Sequence, residues 1–169
     1  MLFGRLSRNA AWMKEMLHLS EDQYREIAQV ASKYLRFQQV LFIRWALVMY
    51  QFEKQLYADP DQNLNEVWWD LVKRYQYLNP PPPPHRADWA AKFHFTIAPC
   101  YYHNYVLGEL LASQIHATLT KKFYESGANQ DISYIGNPAI GQFLREMIFA
   151  PCSCYSCNAM IERATGEPL

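Results

Sequence analysis

Four side chains near the middle of the sequence could together bind a carboxylate and stabilise an oxyanion. They belong to Lys92, His94, Tyr102 and Tyr105. In an extended stretch Lys92 and His94 point to the same side, because side chains alternate along the backbone. Tyr102 and Tyr105 lie three residues apart at the start of a predicted helix and so share a face. The lysine would bind a carboxylate while imidazole and phenols donate to a developing oxyanion; alternatively, the tyrosines pack on an amphipathic helix and the lysine is solvated.

No catalytic metal site is recognisable in the sequence, and we assign no metal ligand. Zinc hydrolysis needs two or three fixed ligands and a general base beside an open metal position. No two histidines lie four residues apart, and the pattern HExxH is absent. The five histidines are His18, His85, His94, His103 and His116.

Three of the four cysteines, Cys152, Cys154 and Cys157, lie close together near the end of the sequence. Structural zinc usually takes four ligands in two spaced pairs, and the fourth cysteine, Cys100, is 52 residues upstream of the first of these three. An exposed cysteine-rich loop is the preferred interpretation, with metal binding as the alternative. Cys152 and Cys154 are too close for easy bridging, so we expect three free thiols.

Composition narrows the class of protein. The 169 residues include 16 Lys+Arg and 16 Asp+Glu, so no net charge favours nucleic acid or an anionic membrane as a partner. Half of the residues are hydrophobic and 19% are charged, which excludes disorder of the whole chain. A total of only 6 glycines disfavours a phosphate-binding glycine loop and a turn-rich β-sandwich.

Nothing in the sequence predicts a membrane span or a secretion signal. No apolar run reaches the ~18 residues of a transmembrane helix, and residues 1–19 lack the apolar segment of a signal peptide. The cysteines are too few for a disulfide framework. A cytoplasmic, reduced protein is the default expectation.

One long helix, from Glu21 to Ala58, dominates the predicted architecture. Ser20 and Gln23 form a capping box at its start, and Pro60 follows its end. At ~1.5 Å per residue the helix is about 55 Å long, whereas a compact globule of this size is about 40 Å across. The helix would overhang its own domain, which favours a piece of a larger structure.

The segment Val40–Tyr50 within this helix is apolar at every position except Arg44. A helix that is apolar all round must be covered all round, and the rest of the chain offers few helices for that cover. We therefore expect incomplete cover, and with it self-association or poor stability.

Shorter helices complete an all-α prediction, since neither strand-like alternation nor an internal repeat is present. Residues 1–169 are predicted to form a single helical region. The first of the shorter helices is capped by Asn63 or Asn65 and runs through Tyr75, and the second covers Tyr101–Tyr124 and is ended by Gly127. The third begins at Asn137 with Pro138, and the last covers Ser156–Ala164.

A proline-rich connector is predicted over residues 79–91. Its run Pro80–Pro84 favours a stiff, extended linker. A ligand for SH3-type domains is the alternative.

Five short motifs occur in a fixed order between Val40 and Leu169. They are WW-x-L…YQ-x-L-x-PP at Trp68–Gln76 and the following prolines, AKFH at Ala91–His94, Y-x-x-Y at Tyr102–Tyr105, a Q-F-H-like triplet at Gln114–His116, and TG-x-P at Thr165–Pro168. In this order they resemble motifs of the angiotensin-converting-enzyme-like zinc peptidyl-dipeptidases. That family has a large, mostly helical ellipsoidal fold, split by a deep substrate channel with zinc at its centre.

The resemblance implies roles for four residues. Lys92 and Tyr102 would hold the C-terminal carboxylate of a peptide substrate. His94 and Tyr105 would be catalytic, binding the scissile region and stabilising the tetrahedral intermediate. One residue more than in the vertebrate pattern separates His94 from Tyr105, so either Tyr101 or Tyr102 could take the first tyrosine position.

A second departure concerns Asn104. It stands where the vertebrate pattern has an arginine linked to chloride, so the resemblance does not carry chloride activation over to this chain.

The resemblance also implies that the zinc-binding part is missing. In the family, HExxH and the third-ligand glutamate precede every motif matched here, so the chain resembles the C-terminal third of the enzyme. Zinc would then be a cofactor of the complete enzyme with no ligand in this chain, and the chain alone would be inactive. Expected partners are a peptide substrate and either the missing N-terminal part or a second copy.

A second hypothesis belongs to another class of function. The chain could be a non-catalytic helical interaction module that keeps the scaffold of the family. An in-frame HExxH upstream of Met1 would favour the enzyme over the module.

Overall fold

The computed structural model describes residues 2–82, 86–124 and 132–169, and within these ranges every regular element is helical. The prediction of an all-α fold is confirmed. The α-helices are α1 (Ala10–Leu17), α2 (Glu21–Ala58), α3 (Leu64–Gln76), α4 (His103–Phe123), α5 (Pro138–Leu144) and α6 (Cys157–Thr165). Short 3-10 turns cover Phe3–Arg8, Asp88–Ala91 and Phe93–Phe95, and a π-helical turn covers Arg145–Phe149.

The chain divides into two compact units. The central unit spans Phe37–Leu107, and the terminal unit combines Met1–Arg36 with Gly108–Leu169. Helices α2 and α4 each contribute residues to both units. The prediction of a single helical region over residues 1–169 stays a prediction.

The long helix α2 has the bounds that its sequence predicts. The Ser20 backbone N–H donates to Gln23 Oε1 (2.9 Å), and the Gln23 N–H donates to Ser20 Oγ (3.3 Å), which is the reciprocal capping box. At the other end Gln62 Nε2 donates to the carbonyl oxygens of Gln55 (2.8 Å) and Asp59 (2.7 Å). Local side chains therefore fix both ends of the helix.

The core of the central unit lies between α2, α3 and the 3-10 turn over Phe93–Phe95. Phe52 of α2 is fully buried, and its ring contacts those of Trp68 and Phe95 at centroid distances of 5.2 and 5.1 Å. The helix α3 begins at Asn63, whose side chain accepts a hydrogen bond from the Glu66 N–H. Aromatic packing thus fastens the turn that carries His94 to two helices.

The apolar segment Val40–Tyr50 is covered on one side only. Ala46, Val48 and Met49 are buried, whereas Val40 is 55% exposed and Ile43 is 40% exposed. The expectation that this chain covers the segment incompletely is confirmed. Among the described residues, no helix combines the length and apolarity needed for a bilayer crossing.

The core of the terminal unit is built on Leu119, Ile140 and Ile161, each fully buried. Gln114 of α4 ties down the end of the chain, since its Nε2 donates to Thr165 Oγ1 (2.9 Å) and to the Glu167 carbonyl (2.8 Å). The helix α5 begins after Asn137 with Pro138 at its first position, as predicted. The predicted helix stop at Gly127 lies outside the described residues.

No element before α2 is predicted from the sequence, and the structure has two there. The side chain of Asn9 caps α1 by accepting from the Trp12 N–H (2.7 Å). Its Nδ2 also donates to the carbonyl of Ile132 (3.1 Å). A long-range contact therefore supports this short helix.

The predicted connector over residues 79–91 is described only in part. Its residues 83–85 lie outside the described ranges, and its last four residues form the 3-10 turn Asp88–Ala91. The choice between a stiff linker and a ligand segment stays a prediction.

Candidate functional site

The central unit brings the four predicted site residues together on three local elements. Lys92 lies between two 3-10 turns, His94 lies in the second of them, Tyr102 directly precedes α4, and Tyr105 lies in its first turn. Lys92, His94 and Tyr105 are half-buried, and Tyr102 is buried. We call these four residues and Trp45 of α2 the aromatic wall.

The reason given above for the pairing of Lys92 with His94 is wrong. In an extended backbone the side chains of Lys92 and His94, two residues apart, would point to the same side. Only Lys92 has extended angles (φ −87°, ψ 95°). His94 belongs to the 3-10 turn Phe93–Phe95, because Phe95 is buried against Phe52 and closes the backbone at this point. Packing in the core therefore places His94 in the wall.

His94 lies against both tyrosines of the wall. Its ring centroid is 4.9 Å from that of Tyr102 and 5.8 Å from that of Tyr105, in both cases nearly perpendicular. His94 Nε2 is 3.4 Å from the Tyr105 hydroxyl oxygen. The rings of Tyr102 and Tyr105 are 5.1 Å apart. One imidazole and two phenols therefore share a single surface.

Trp45 contacts both Lys92 and Tyr102, and it is not among the residues predicted from the sequence. Its Nε1 donates to the hydroxyl oxygen of Tyr102 (2.8 Å), and Lys92 Nζ lies 5.5 Å from the centre of its ring. A half-buried indole needs an acceptor for its N–H. Trp45 is the only side chain of its apolar segment with an indole N–H, which was the available signal.

The structure distinguishes Tyr101 from Tyr102, which the sequence left open. Tyr102 is 9% exposed and takes part in the wall, whereas Tyr101 is 47% exposed. Burial raises the pKa of the Tyr102 phenol, and the hydrogen bond from Trp45 opposes this shift by lowering the pKa. Tyr102 is therefore a neutral phenol at physiological pH.

One of three comparisons with known proteins finds a match. Residues 8–168 match the family model of angiotensin-converting enzyme. The chain belongs to the angiotensin-converting enzyme family. The match extends from the motif-bearing region back to residue 8, where motifs gave no signal. No curated protein and no solved structure matches the chain significantly.

A zinc-binding set characteristic of this family does not occur in the described part of the chain. No three His, Cys, Asp or Glu side chains there come together so that they could hold a metal ion. His94 and His103, the histidines of the central unit that are described, contact aromatic rings instead. The described residues therefore do not fit zinc.

The cysteines do not contribute to the wall. All four are exposed, free thiols. Cys100 and Cys152 have positive φ angles of 56° and 47°, which residues other than glycine rarely adopt.

An apolar cavity of about 220 Å³ lies in the same unit, on α2 and the first turns of α4. It is lined by Ile43, Ala46, Leu47, Tyr50, His103, Val106 and Leu107. Ala46 and Val106 directly follow Trp45 and Tyr105 in the sequence. The cavity could accept an apolar side chain.

Proposed function

We propose that this chain forms the substrate-binding side of a zinc peptidyl-dipeptidase, an enzyme that releases dipeptides from the C-termini of peptides. The observation that carries the proposal is the convergence of Lys92, His94, Tyr102 and Tyr105 around Trp45. Membership of the angiotensin-converting enzyme family supports a peptidase origin.

Lys92 and Tyr102 would bind the C-terminal carboxylate of the substrate. Lys92 is half-buried over the Trp45 ring, and partial removal from water strengthens its attraction for an anion. The Tyr102 oxygen accepts the indole N–H of Trp45, so its own hydrogen can be donated to a carboxylate oxygen. A cation and a neutral donor thus suit the two oxygens of one carboxylate.

His94 and Tyr105 would bind the carbonyl oxygen of the scissile peptide bond. Their polar atoms lie 3.4 Å apart, close enough for one oxygen to accept hydrogen bonds from both. Two donors at this position would stabilise the negative charge that develops in the tetrahedral intermediate. Donors held in place before reaction need no reorganisation when that charge appears.

The zinc of the complete enzyme would be held by residues that this chain does not contain. The sequence has no HExxH, and the described histidines do not cluster. The chain alone would therefore hydrolyse no peptide. A cytoplasmic location is part of the proposal.

A second candidate, a helical interaction module, is favoured by the exposed apolar side of α2. Val40, Ile43 and Leu47 are exposed along about two turns of this helix. Exposed apolar surface of this kind binds a partner. In the enzyme that partner would be the missing part of the fold; in the module it would be another protein or a second copy.

Two measurements distinguish the enzyme from the module. The coding sequence upstream of Met1 is read in frame, and the enzyme requires HExxH there. The protein encoded by the longer reading frame is then assayed for dipeptide release with and without a chelator. Release that the chelator abolishes supports the enzyme, and absence of both HExxH and release supports the module.

A further inference from the structure

The residue before the two adjacent tyrosines has an unusual backbone. Cys100 has a φ angle of 56°, in the left-handed region where the backbone of residues other than glycine is strained. Tyr101 and Tyr102 follow it directly, and only Tyr102 is buried. The strained backbone thus lies directly before two tyrosines of which one is buried and one is exposed.

A buried carboxylate holds this backbone in place. Glu53 of α2 is 6% exposed, although its side chain is polar. Its Oε1 accepts the backbone N–H of Cys100 at 2.5 Å and also the hydroxyl of Tyr57 at 3.4 Å. A buried carboxylate is unfavourable unless hydrogen bonds compensate for lost hydration. The bond from the Cys100 N–H is the stronger of the two, since the 3.4 Å bond from Tyr57 is longer than an ordinary O–H···O hydrogen bond.

We propose that Glu53 is a positioning residue that fixes Cys100 in its left-handed conformation and so places Tyr102, not Tyr101, against Trp45. Its relevance to substrate binding rests on the proposed function, but the positioning itself is a property of the free chain. Glu53 follows Phe52, which is fully buried between Trp68 and Phe95, so the carboxylate projects from a rigid part of α2.

Loss of the acceptor should release the loop. Without it, the Cys100 N–H would be unpaired and nothing would offset the unfavourable φ angle. The backbone would then relax toward negative φ, which turns the following residues. Tyr102 would leave Trp45, and the indole N–H of Trp45 would lose its acceptor.

The test follows the Trp45 indole N–H by NMR in the whole chain, without peptide, with the signal assigned through Trp45→Phe. In Glu53→Leu we expect hydrogen exchange of this N–H to be at least ~10-fold faster than in the wild type, as for a group freed by local opening. Glu53→Gln keeps an acceptor oxygen and should exchange within about threefold of the wild type. Adding Cys100→Gly to Glu53→Leu should restore slow exchange, because glycine adopts positive φ without strain.

The indole N–H of Trp89 is the internal control. It donates to Asn65 Oδ1 of α3 at 2.9 Å in the same unit, a partner that does not belong to the segment around Cys100, and its exchange should not change in Glu53→Leu. Equal acceleration at Trp45 and Trp89 would mean that Glu53 only stabilises the fold, and would overturn the proposal. Unchanged exchange at Trp45 in Glu53→Leu, or failure of Glu53→Gln to behave as the wild type, would also overturn it.

A measurement on the wild type covers the case in which Glu53→Leu does not fold. The Cys100 backbone amide should exchange at least ~100-fold more slowly than an unstructured amide if Glu53 holds it. Free exchange of that amide would contradict the proposal. Because no peptide is present, these results are independent of whether the wall binds substrate.

Discussion

Lys92 and Tyr105 should affect catalysis in different ways, because their partners carry charge at different stages of the reaction. In an enzyme containing both this chain and the zinc-binding part, Tyr105→Phe removes a donor and keeps the ring. If that donor meets the oxyanion only in the transition state, kcat should fall by roughly 10²–10³-fold. Steady-state kinetics of dipeptide release measures this change.

The Lys92→Ala variant is the contrasting case. The substrate carboxylate is charged before and during the reaction, so Lys92 stabilises the bound substrate and the transition state equally. Loss of the lysine should therefore raise KM with less effect on kcat. A kcat within about threefold of the wild type in Tyr105→Phe, together with an unchanged KM in Lys92→Ala, would show that these roles are assigned wrongly.

The hydrogen bond from Trp45 should be visible in the titration of Tyr102. Burial raises the pKa of the Tyr102 phenol, and donation from Trp45 lowers it by stabilising the phenolate. Trp45→Phe removes only the lowering contribution, so the pKa should rise further and less phenolate should form at any alkaline pH. The ultraviolet titration curve of the double variant Trp45→Phe, Tyr102→Phe is subtracted from that of Trp45→Phe. The difference is the titration of the Tyr102 phenol alone. A lower pKa in Trp45→Phe would contradict the assignment.

At the scale of single elements, local side-chain signals predicted helix ends well. The capping box at Ser20 and Gln23 appears where the sequence places it, and of the two predicted caps of α3 it is Asn63 that accepts a backbone N–H. The helix α5 starts with Pro138 as predicted, although the Asn137 side chain makes no capping hydrogen bond. These signals suffice because a cap acts on backbone groups two or three residues away. The start of α1 at Asn9 carried the same kind of signal, without the Glu or Gln that completes a capping box.

The wall itself depends on contacts that are distant in sequence. Cys100 and Glu53 are 47 residues apart, and Tyr102 and Trp45 are 57 apart. Residue types and spacing singled out the four site residues and the resemblance to a family supplied their roles, but neither Trp45 nor Glu53 belongs to a motif. The left-handed backbone at Cys100 cannot be read from a cysteine, since only a long-range acceptor stabilises it.

The cap of α3 provides a test of element stability. Asn63 accepts the Glu66 N–H, and α3 carries Trp68 into the core. Asn63→Ala should lower the free energy of unfolding by about 1 kcal/mol. Asn63→Ser keeps an acceptor without placing a negative charge beside the Glu66 carboxylate, so its free energy of unfolding should stay within roughly 0.5 kcal/mol of the wild type. Urea unfolding measures both. Equal losses in the two variants would show that the cap contributes nothing.

For the whole molecule, the exposed side of α2 should determine the state of association. Ile43 and Leu47 are 40% and 36% exposed, in a segment that is apolar at every position except Arg44. We expect the chain to self-associate and to bind an apolar dye, and Ile43→Lys with Leu47→Lys to reduce both. Phe149→Lys, at a residue that is 58% exposed in the terminal unit, is the matched control. Sedimentation velocity that shows a monomer at all concentrations, without dye binding, would refute this expectation.

Recognition of a C-terminal carboxylate by the aromatic wall is tested most directly by titrating the chain with one peptide in two forms, the free acid and the C-terminal amide. The indole N–H of Trp45 reports binding by NMR, since it lies between Lys92 and Tyr102. The free acid should bind at least ~10-fold more tightly, the value of one charge-assisted hydrogen bond. In Lys92→Gln this preference should disappear. Equal binding of the two forms, or a preference that persists in Lys92→Gln, would contradict the account.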